Sequence, residues 1–131
     1  MSAHRTAHIS DIERRLIDDD VWRPVRHTLG VTGFGVNVFA AREPGDEAIE
    51  DHTEVEENCG RHEELYFVVS GHAEFTVDGE TVDAPAGTFV LVPDPESRRR
   101  AVGVEAETEV LCIGAPPGGV ETSPWEARHL E

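Results

Sequence analysis

From Val31 onward, hydrophobic and polar positions alternate with a period of two. The stretch "GVTGFGVNVFAA" puts Phe34, Val36 and Val38 on one side, which predicts a strand in which Gly33 and Gly35 allow close backbone approach. Short runs of the same kind recur downstream: "EAIEDHTE", "LYFVVSG", "AEFTVDGE", "TVDAP", "TFVLVP", "RRAVGV" and "TEVLCIG". Asp78-Gly79 between "AEFTV" and "ETVDA" is a hairpin signal, because glycine at the second turn position supplies the positive φ of a type I′ turn. Upstream the pattern changes. Ser10 followed by Glu13 has capping-box spacing, and "SDIERRLIDDD" predicts a helix of about three turns ending before Trp22-Arg23-Pro24.

Many short strands at turn spacings of about ten residues or less predict an all-β sandwich or barrel. The chain of 131 residues fits one domain with a single core, and no internal repeat or low-complexity linker divides it. The expected organisation is a lead-in with the helix over residues 1–30, a β body over 31–115, and a turn-rich tail over 116–131 packed on that body through Trp125. Phe34, Phe39, Phe67, Phe75 and Phe89 are expected in the core.

Composition narrows the partners. The formal charge of −16 repels phosphate backbones and anionic lipid surfaces, so neither nucleic acid nor a membrane is an expected partner. Arg98-Arg99-Arg100 is too short for a nucleic-acid patch and fits a late strand, with Arg98 and Arg100 on one face and Arg99 on the other. One of those faces can look inward and offer a guanidinium to an acidic ligand or to Glu64; the commoner outcome is a solvated edge. No apolar run approaches the length of about 20 residues that spans a bilayer, and the first residues lack the apolar core of a secretory signal. A cytoplasmic location is the expectation. Cys59 in a polar loop and Cys112 in "TEVLCIG" lie in unlike surroundings, so no disulfide is expected.

Chemistry concentrates in "CGRHEELYFVVSG". Alternation puts His62, Glu64, Tyr66 and Val68 on one face of a strand and Leu65, Phe67 and Val69 on the other. If that face looks inward, burial raises a carboxyl pKa and lowers an imidazole pKa unless the groups pair with each other or with a cation. The preceding run "EDHTEVEENCG" reads as an acidic pocket lip or an ordinary solvated loop.

Two segments resemble the motifs of a small single-domain cupin. In "EELYFVVSGHAEFTVDGE", Glu64 precedes a strand and Gly71 follows seven residues later; in "GETVDAPAGTFVLVP", Gly79 is followed after five residues by Pro85-x-Gly87. The resemblance covers roughly residues 45 to 115 and implies a double-stranded β-helix, a jelly-roll barrel whose pocket often holds a transition metal. It also implies a homodimer, since cupins commonly pair through outer strands. The usual His-x-His before the motif glutamate is replaced by Glu57, Asn58, Cys59 and Gly60, and Val90 stands where the second motif has its histidine.

A rebuilt site can draw on His52, His62 and Glu64, a two-nitrogen, one-oxygen set suited to zinc, iron, nickel or manganese. Each has a plainer reading beside it: His52 solvated, and His62 hydrogen-bonded to Glu64 or Tyr66 at the barrel mouth. Cys59 with His62 is a weaker alternative set. The expected function is a cupin enzyme acting on a small organic molecule in the barrel, as an isomerase, cyclase or lyase rather than an oxygenase. A metal then polarises the substrate, or Glu64 or His62 moves a proton while Tyr66 stabilises developing negative charge. The rival is a non-catalytic, small-molecule-binding or sensory cupin that has lost its metal.

Overall fold

The structure, a computed structural model, describes residues 3–17 and 20–130. Its elements are β1 (Arg15–Ile17), β2 (Asp20–Arg23), α1 (Val25–Leu29), β3 (Gly35–Ala41), β4 (Glu47–His52), β5 (Glu63–Ser70), β6 (His72–Val77), β7 (Glu80–Pro85), β8 (Phe89–Val92), β9 (Arg99–Gly103), β10 (Thr108–Ala115) and α2 (Pro124–His129). All strand pairings are antiparallel. One sheet runs β1-β2-β3-β10-β5-β8 and the other β4-β9-β6-β7.

Period-two burial decides which face of each strand is core. Glu64, Tyr66 and Val68 are buried along β5, Val110 and Cys112 along β10, and Val90 and Val92 along β8. The facing sheet supplies Ala48, Ile49, Ala73, Phe75, Ala84 and Ala101 to the same cluster. Small alanines on that sheet leave room for the larger side chains opposite. Tyr66 and Phe75 join the sheets with ring centroids 5.3 Å apart. Phe75 is fully buried, and burial of that kind contributes about 1.5–3 kcal/mol. The hairpin between β6 and β7 turns at Asp78 (φ 48°) and Gly79 (φ 83°), both in the left-handed region that a type I′ turn needs.

Among the described residues the expected N-terminal helix is absent. Ile9–Asp11 form a single 3₁₀ turn capped by the His8 side chain, and the chain then extends into β1 and β2. Asp18 and Asp19, at the end of the expected helix, lie outside the described residues. Sheet pairing overrides local propensity here: Val21, Trp22 and Arg23 add to β3 opposite Ala40, Phe39 and Val38, and Arg23 bonds the carbonyls of Ile9 and Ile12. Among the described residues of the lead-in the only α-helix is α1, one short turn closed by Gly30 at φ 72°.

Four aromatic expectations also change, and Phe67 is one of them, half-buried on the side of β5 opposite Tyr66 and Val68. Phe34 is 47% exposed, Phe89 65% and Trp125 68%. Phe89 lies on the outward face of edge strand β8 and packs on Phe67 in a tilted pair with ring centroids 4.5 Å apart. Trp125 stacks on His129 within α2, a helix that buries no residue, so it does not pin the tail to the barrel. Along β3 the side that includes Val36 and Val38 looks away from the Val110–Cys112 face of β10, yet Val38 and Ala40 are buried there. Phe39, opposite Val110, is the ring of this strand that packs on the core.

Candidate metal and ligand site

Strands β5, β10 and β9 converge on one carboxylate. Glu64 Oε1 accepts hydrogen bonds from the Tyr66 hydroxyl (2.5 Å) and the Arg99 guanidinium (2.9 Å), and its Oε2 accepts from the Cys112 thiol (3.0 Å). Arg99 is fully buried and also donates to the carbonyls of Ser97 (3.0 Å) and Asp94 (2.8 Å). Its planar fork therefore fixes Glu64 relative to the loop that precedes β9. Burial alone would raise the Glu64 pKa, but the His52 imidazole, the Tyr66 and Cys112 donors and the Arg99 charge together lower it to about 2. Burial, then the Glu64 charge, pushes the Cys112 thiol well up, and burial does the same to the Tyr66 phenol, so both stay protonated donors.

A second carboxylate arrives from the segment after β4. Glu54 is 6% exposed and anchored by its backbone, whose N–H donates to Pro95 and whose carbonyl accepts from Arg61. His52 Nε2 lies 3.1 Å from Glu54 Oε2 and 3.8 Å from Glu64 Oε1, while its Nδ1 sits 2.6 Å from the Glu50 carbonyl. A carbonyl only accepts, so Nδ1 carries a proton and Nε2 is the atom directed at the two carboxylates. Burial would lower the His52 pKa; the bonds to Glu54, Glu64 and the Glu50 carbonyl outweigh it and raise the value to about 10.

His52, Glu54 and Glu64 each place a ligand atom within 4.8 Å of the others, a group that could hold a metal ion. One imidazole nitrogen and two carboxylates suit a divalent zinc, manganese, iron or nickel ion, and the carbonyl-fixed tautomer is how metal-binding histidines are oriented. The residues fit such an ion, with positions left open for solvent or substrate.

His62, expected as the second nitrogen ligand, lies just outside that group. Its backbone N–H donates to Glu54 Oε1 (3.2 Å) and its ring Nδ1 is 4.0 Å from the same oxygen. The imidazole nests against glycines: a Cβ at Gly60 would come within 2.8 Å of it, and one at Gly114 within 2.9 Å. Two pockets, a first lobe of about 430 Å³ and a second of about 410 Å³, share Phe39, Glu64 and Cys112 in their walls. His52, Glu54 and Tyr66 line the first, and His62 the second. Cys59 is free on the lip of the first lobe, its pKa raised by burial and by Glu54 and Glu56, the opposite of an activated thiolate.

Sequence reasoning missed Glu54 and the Cys112 bond, and gave a guanidinium reaching Glu64 from the arginine run only as the less common outcome. His52-x-Glu54 has the i, i+2 spacing of the missing His-x-His, displaced from Glu64 by residues 55–63; a search at fixed distance from the motif glutamate lands inside that longer loop. Arg99 does lie on the opposite face from Arg98 and Arg100, and it is the one that points inward; Arg98 pairs with Asp51 and Glu56 at the surface.

Two antiparallel sheets closed over a cavity, with a histidine-carboxylate cluster on its wall, define a double-stranded β-helix pocket protein. The family profile described as Cupin domain matches residues 42–114, and the chain belongs to that family. Among solved structures it is similar to a cupin protein of Bacteroides fragilis (TM-score 0.70, 19% identity, 96% of this chain and 95% of that one). It is also similar to a cupin-superfamily sugar phosphate isomerase of Silicibacter pomeroyi (0.68, 18%, 85% and 75%) and to a Streptomyces nucleoside dehydratase (0.62, 20%, 88% and 84%). At these identities the likeness speaks for the fold alone. No curated protein matches the sequence.

Proposed function

We propose that the chain is a metal-assisted cupin enzyme that isomerises, cyclises or eliminates within a small organic molecule held in the barrel. The observation that carries this reading is the convergence of His52 Nε2 with the Glu54 and Glu64 carboxylates on the cavity wall. A divalent ion bound there supplies Lewis-acid polarisation of a carbonyl or enolate oxygen. Arg99, Tyr66 and Cys112 hold Glu64 in place, so it meets a ligand without side-chain reorganisation. A carboxylate with a pKa of about 2 is a weak base, and the Tyr66 proton is committed to it. Proton movement therefore falls to His62, whose imidazole borders the second lobe.

One observation favours the non-catalytic reading. Arg99 and a protonated His52 already balance the Glu54 and Glu64 charges without a metal. Metal titration separates the two. Protein purified without a nickel step and treated with chelator is expected to take up about one equivalent of zinc, manganese, iron or nickel with a rise in Tm, lost in His52→Ala and Glu54→Gln. Uptake below about a tenth of an equivalent, with no change in Tm, would sink the metal-assisted reading.

The homodimer belongs to the same proposal. Register places Leu65 beside Leu91, Phe67 beside Phe89, Leu111 beside Phe67 and Ile113 beside Leu65 on the outward face of the six-stranded sheet. This block has no charge on a chain of −16, so a second copy meets it without repulsion.

A further inference from the structure

The chain has two carboxamide side chains, Asn37 and Asn58, and no glutamine. Asn58 sits on the exposed loop before β5, whereas Asn37 interrupts the inward row of β3. Directly opposed residues of an antiparallel pair share a face, and Asn37 lies opposite Cys112, which lies opposite Tyr66 on the far side. Cys112 and Tyr66 belong to the core, so Asn37 is directed into the barrel, where it lines the second lobe. Its amide is half-buried and has no hydrogen-bond partner among the described residues. A polar group in such a position is normally satisfied within the fold.

His62 is its neighbour. Gly35, Gly114 and Glu64 form the next row of the sheet, and a Cβ at Gly35 or Gly114 would come within 3.6 or 2.9 Å of the His62 ring. The imidazole thus lies over two positions that have no side chain, and Gly60 closes on it from the loop. Packing fixes the ring, yet neither of its nitrogens makes a hydrogen bond among the described residues; Glu54 Oε1, 4.0 Å from Nδ1, is out of range.

Two half-buried side chains, brought in by different strands, therefore face one lobe with unused donors and acceptors. Charge is already settled there. Among the described residues the lobe's only acid is Glu64, paired with Arg99, and its only arginine is Arg26, exposed to solvent and bonded to the Val31 carbonyl. A charged group brought beside the Glu64–Arg99 pair would lose hydration without an inward counter-charge to replace it. We infer that Asn37 and His62 bind an uncharged polar part of the ligand that presents a donor and an acceptor on neighbouring atoms, as a lactam edge or a pair of adjacent hydroxyls does. The Asn37 carboxamide offers N–H and C=O in one plane, and a ligand without the matching pair leaves them unmet, so Asn37 sets specificity. The inference rests on the reading of the barrel as the ligand site and assigns the chemistry of its second lobe.

Side-chain amide NMR of the full chain tests it, because only two NH2 pairs exist and the one missing from Asn37→Leu is that of Asn37. The probes are five-membered rings of matched size: 2-pyrrolidone, cis-cyclopentane-1,2-diol, cyclopentanone, cyclopentanecarboxylate and cyclopentylammonium, at constant ionic strength. Either 2-pyrrolidone or the diol is expected to shift the Asn37 pair and the His62 ring signals to saturation, with a Kd of roughly millimolar order, while Asn58 stays in place. The tighter of the two tells the lactam source from the hydroxyl source. Cyclopentanone, an acceptor only, and the two ions should bind more weakly, and His62→Ala should weaken the better probe by about tenfold. Without any probe, Asn37→Leu should hold Tm within about 2 °C or raise it, since the fold loses an inward amide that it does not use. A larger fall shows that the amide serves the structure and overturns the assignment. So does binding of cyclopentanone or an ion as tight as that of the neutral pair-bearing probes, or the lack of a saturable Asn37 shift with both. If metal uptake succeeds in that last case, only the chemistry assigned to the second lobe has failed; if uptake fails as well, the reading of the pocket fails with it.

Discussion

Arg99 and Glu64 form a buried ion pair whose members cannot be changed singly without cost. The guanidinium is fully buried and the carboxylate 9% exposed, so Arg99→Ala leaves a charge in the barrel with Tyr66 and Cys112 as donors and His52 at 3.8 Å. Loss of about 3–5 kcal/mol is expected in urea unfolding. Arg99→Lys should not restore it, because one ammonium cannot reach Glu64 and the Ser97 and Asp94 carbonyls with the geometry of the fork. A loss below about 1 kcal/mol would mean that the pair is not desolvated as described. Two titrations shape stability against pH. The folded His52 pKa, near 10, lies above its ordinary 6.5, so its contribution is complete below about 6.5 and disappears as pH rises through 10. The folded Glu64 pKa, near 2, lies below its ordinary 4.5, so its contribution is complete above about 4.5 and disappears as pH falls toward 2. In metal-free buffer the wild type should lose Tm between pH 6.5 and 10 more steeply than His52→Gln. Parallel curves for the two would refute the assignment of charge to His52.

Between elements, the tight joint is the turn from β5 to β6. Gly71 has φ 77°, and a Cβ there would come within 2.4 Å of Thr108 Oγ1 and 2.7 Å of Thr108 Cα. Thr108 cannot retreat: it is fully buried and its hydroxyl is bound to His72 and Glu105. Gly71→Ala should therefore destabilise by about 2 kcal/mol or more in urea unfolding, and a change within about 0.5 kcal/mol would show that the turn relaxes. This glycine was legible in the sequence because motif spacing from Glu64 marks it. The strands after Val31 were legible for a related reason: with one face buried, alternation is enforced residue by residue. The lead-in was not, since "SDIERRLIDDD" has good local helix signals and its strands exist only through pairing with β3. Alternation also shows that Arg99 opposes its neighbours without showing which face is inside; that depends on the acid waiting there, which comes from another strand. Glu54 was hidden by loop length, because residues 55–63 break the spacing while the chain still returns His52-x-Glu54 to Glu64.

For the molecule as a whole, charge restricts where contact between copies is possible. All 11 basic residues are arginine and 27 are acidic, so most approaches between two copies are repulsive at low salt. The outward block on β5, β8 and β10 is free of that repulsion. It also continues into an apolar groove of about 710 Å³ lined in part by Phe34, Leu91, Ile113 and Val120. Strand β8 is moreover the unprotected edge of its sheet, with Phe89 and Leu91 both exposed. If two copies meet here, Phe89→Asp with Leu91→Asp should give a monomer by light scattering at concentrations where the wild type is a dimer. Both side chains are outside the core, so the Tm of the dissociated variant should fall only by the stabilisation that association supplies, and should become independent of protein concentration while the wild-type Tm rises with it. A wild type that stays monomeric, or a double variant that still pairs, would move the interface elsewhere or remove it. The site prediction is separable from this one: His52, Glu54, Glu64 and Arg99 all come from a single chain, so metal uptake by the monomeric variant should match that of the wild type.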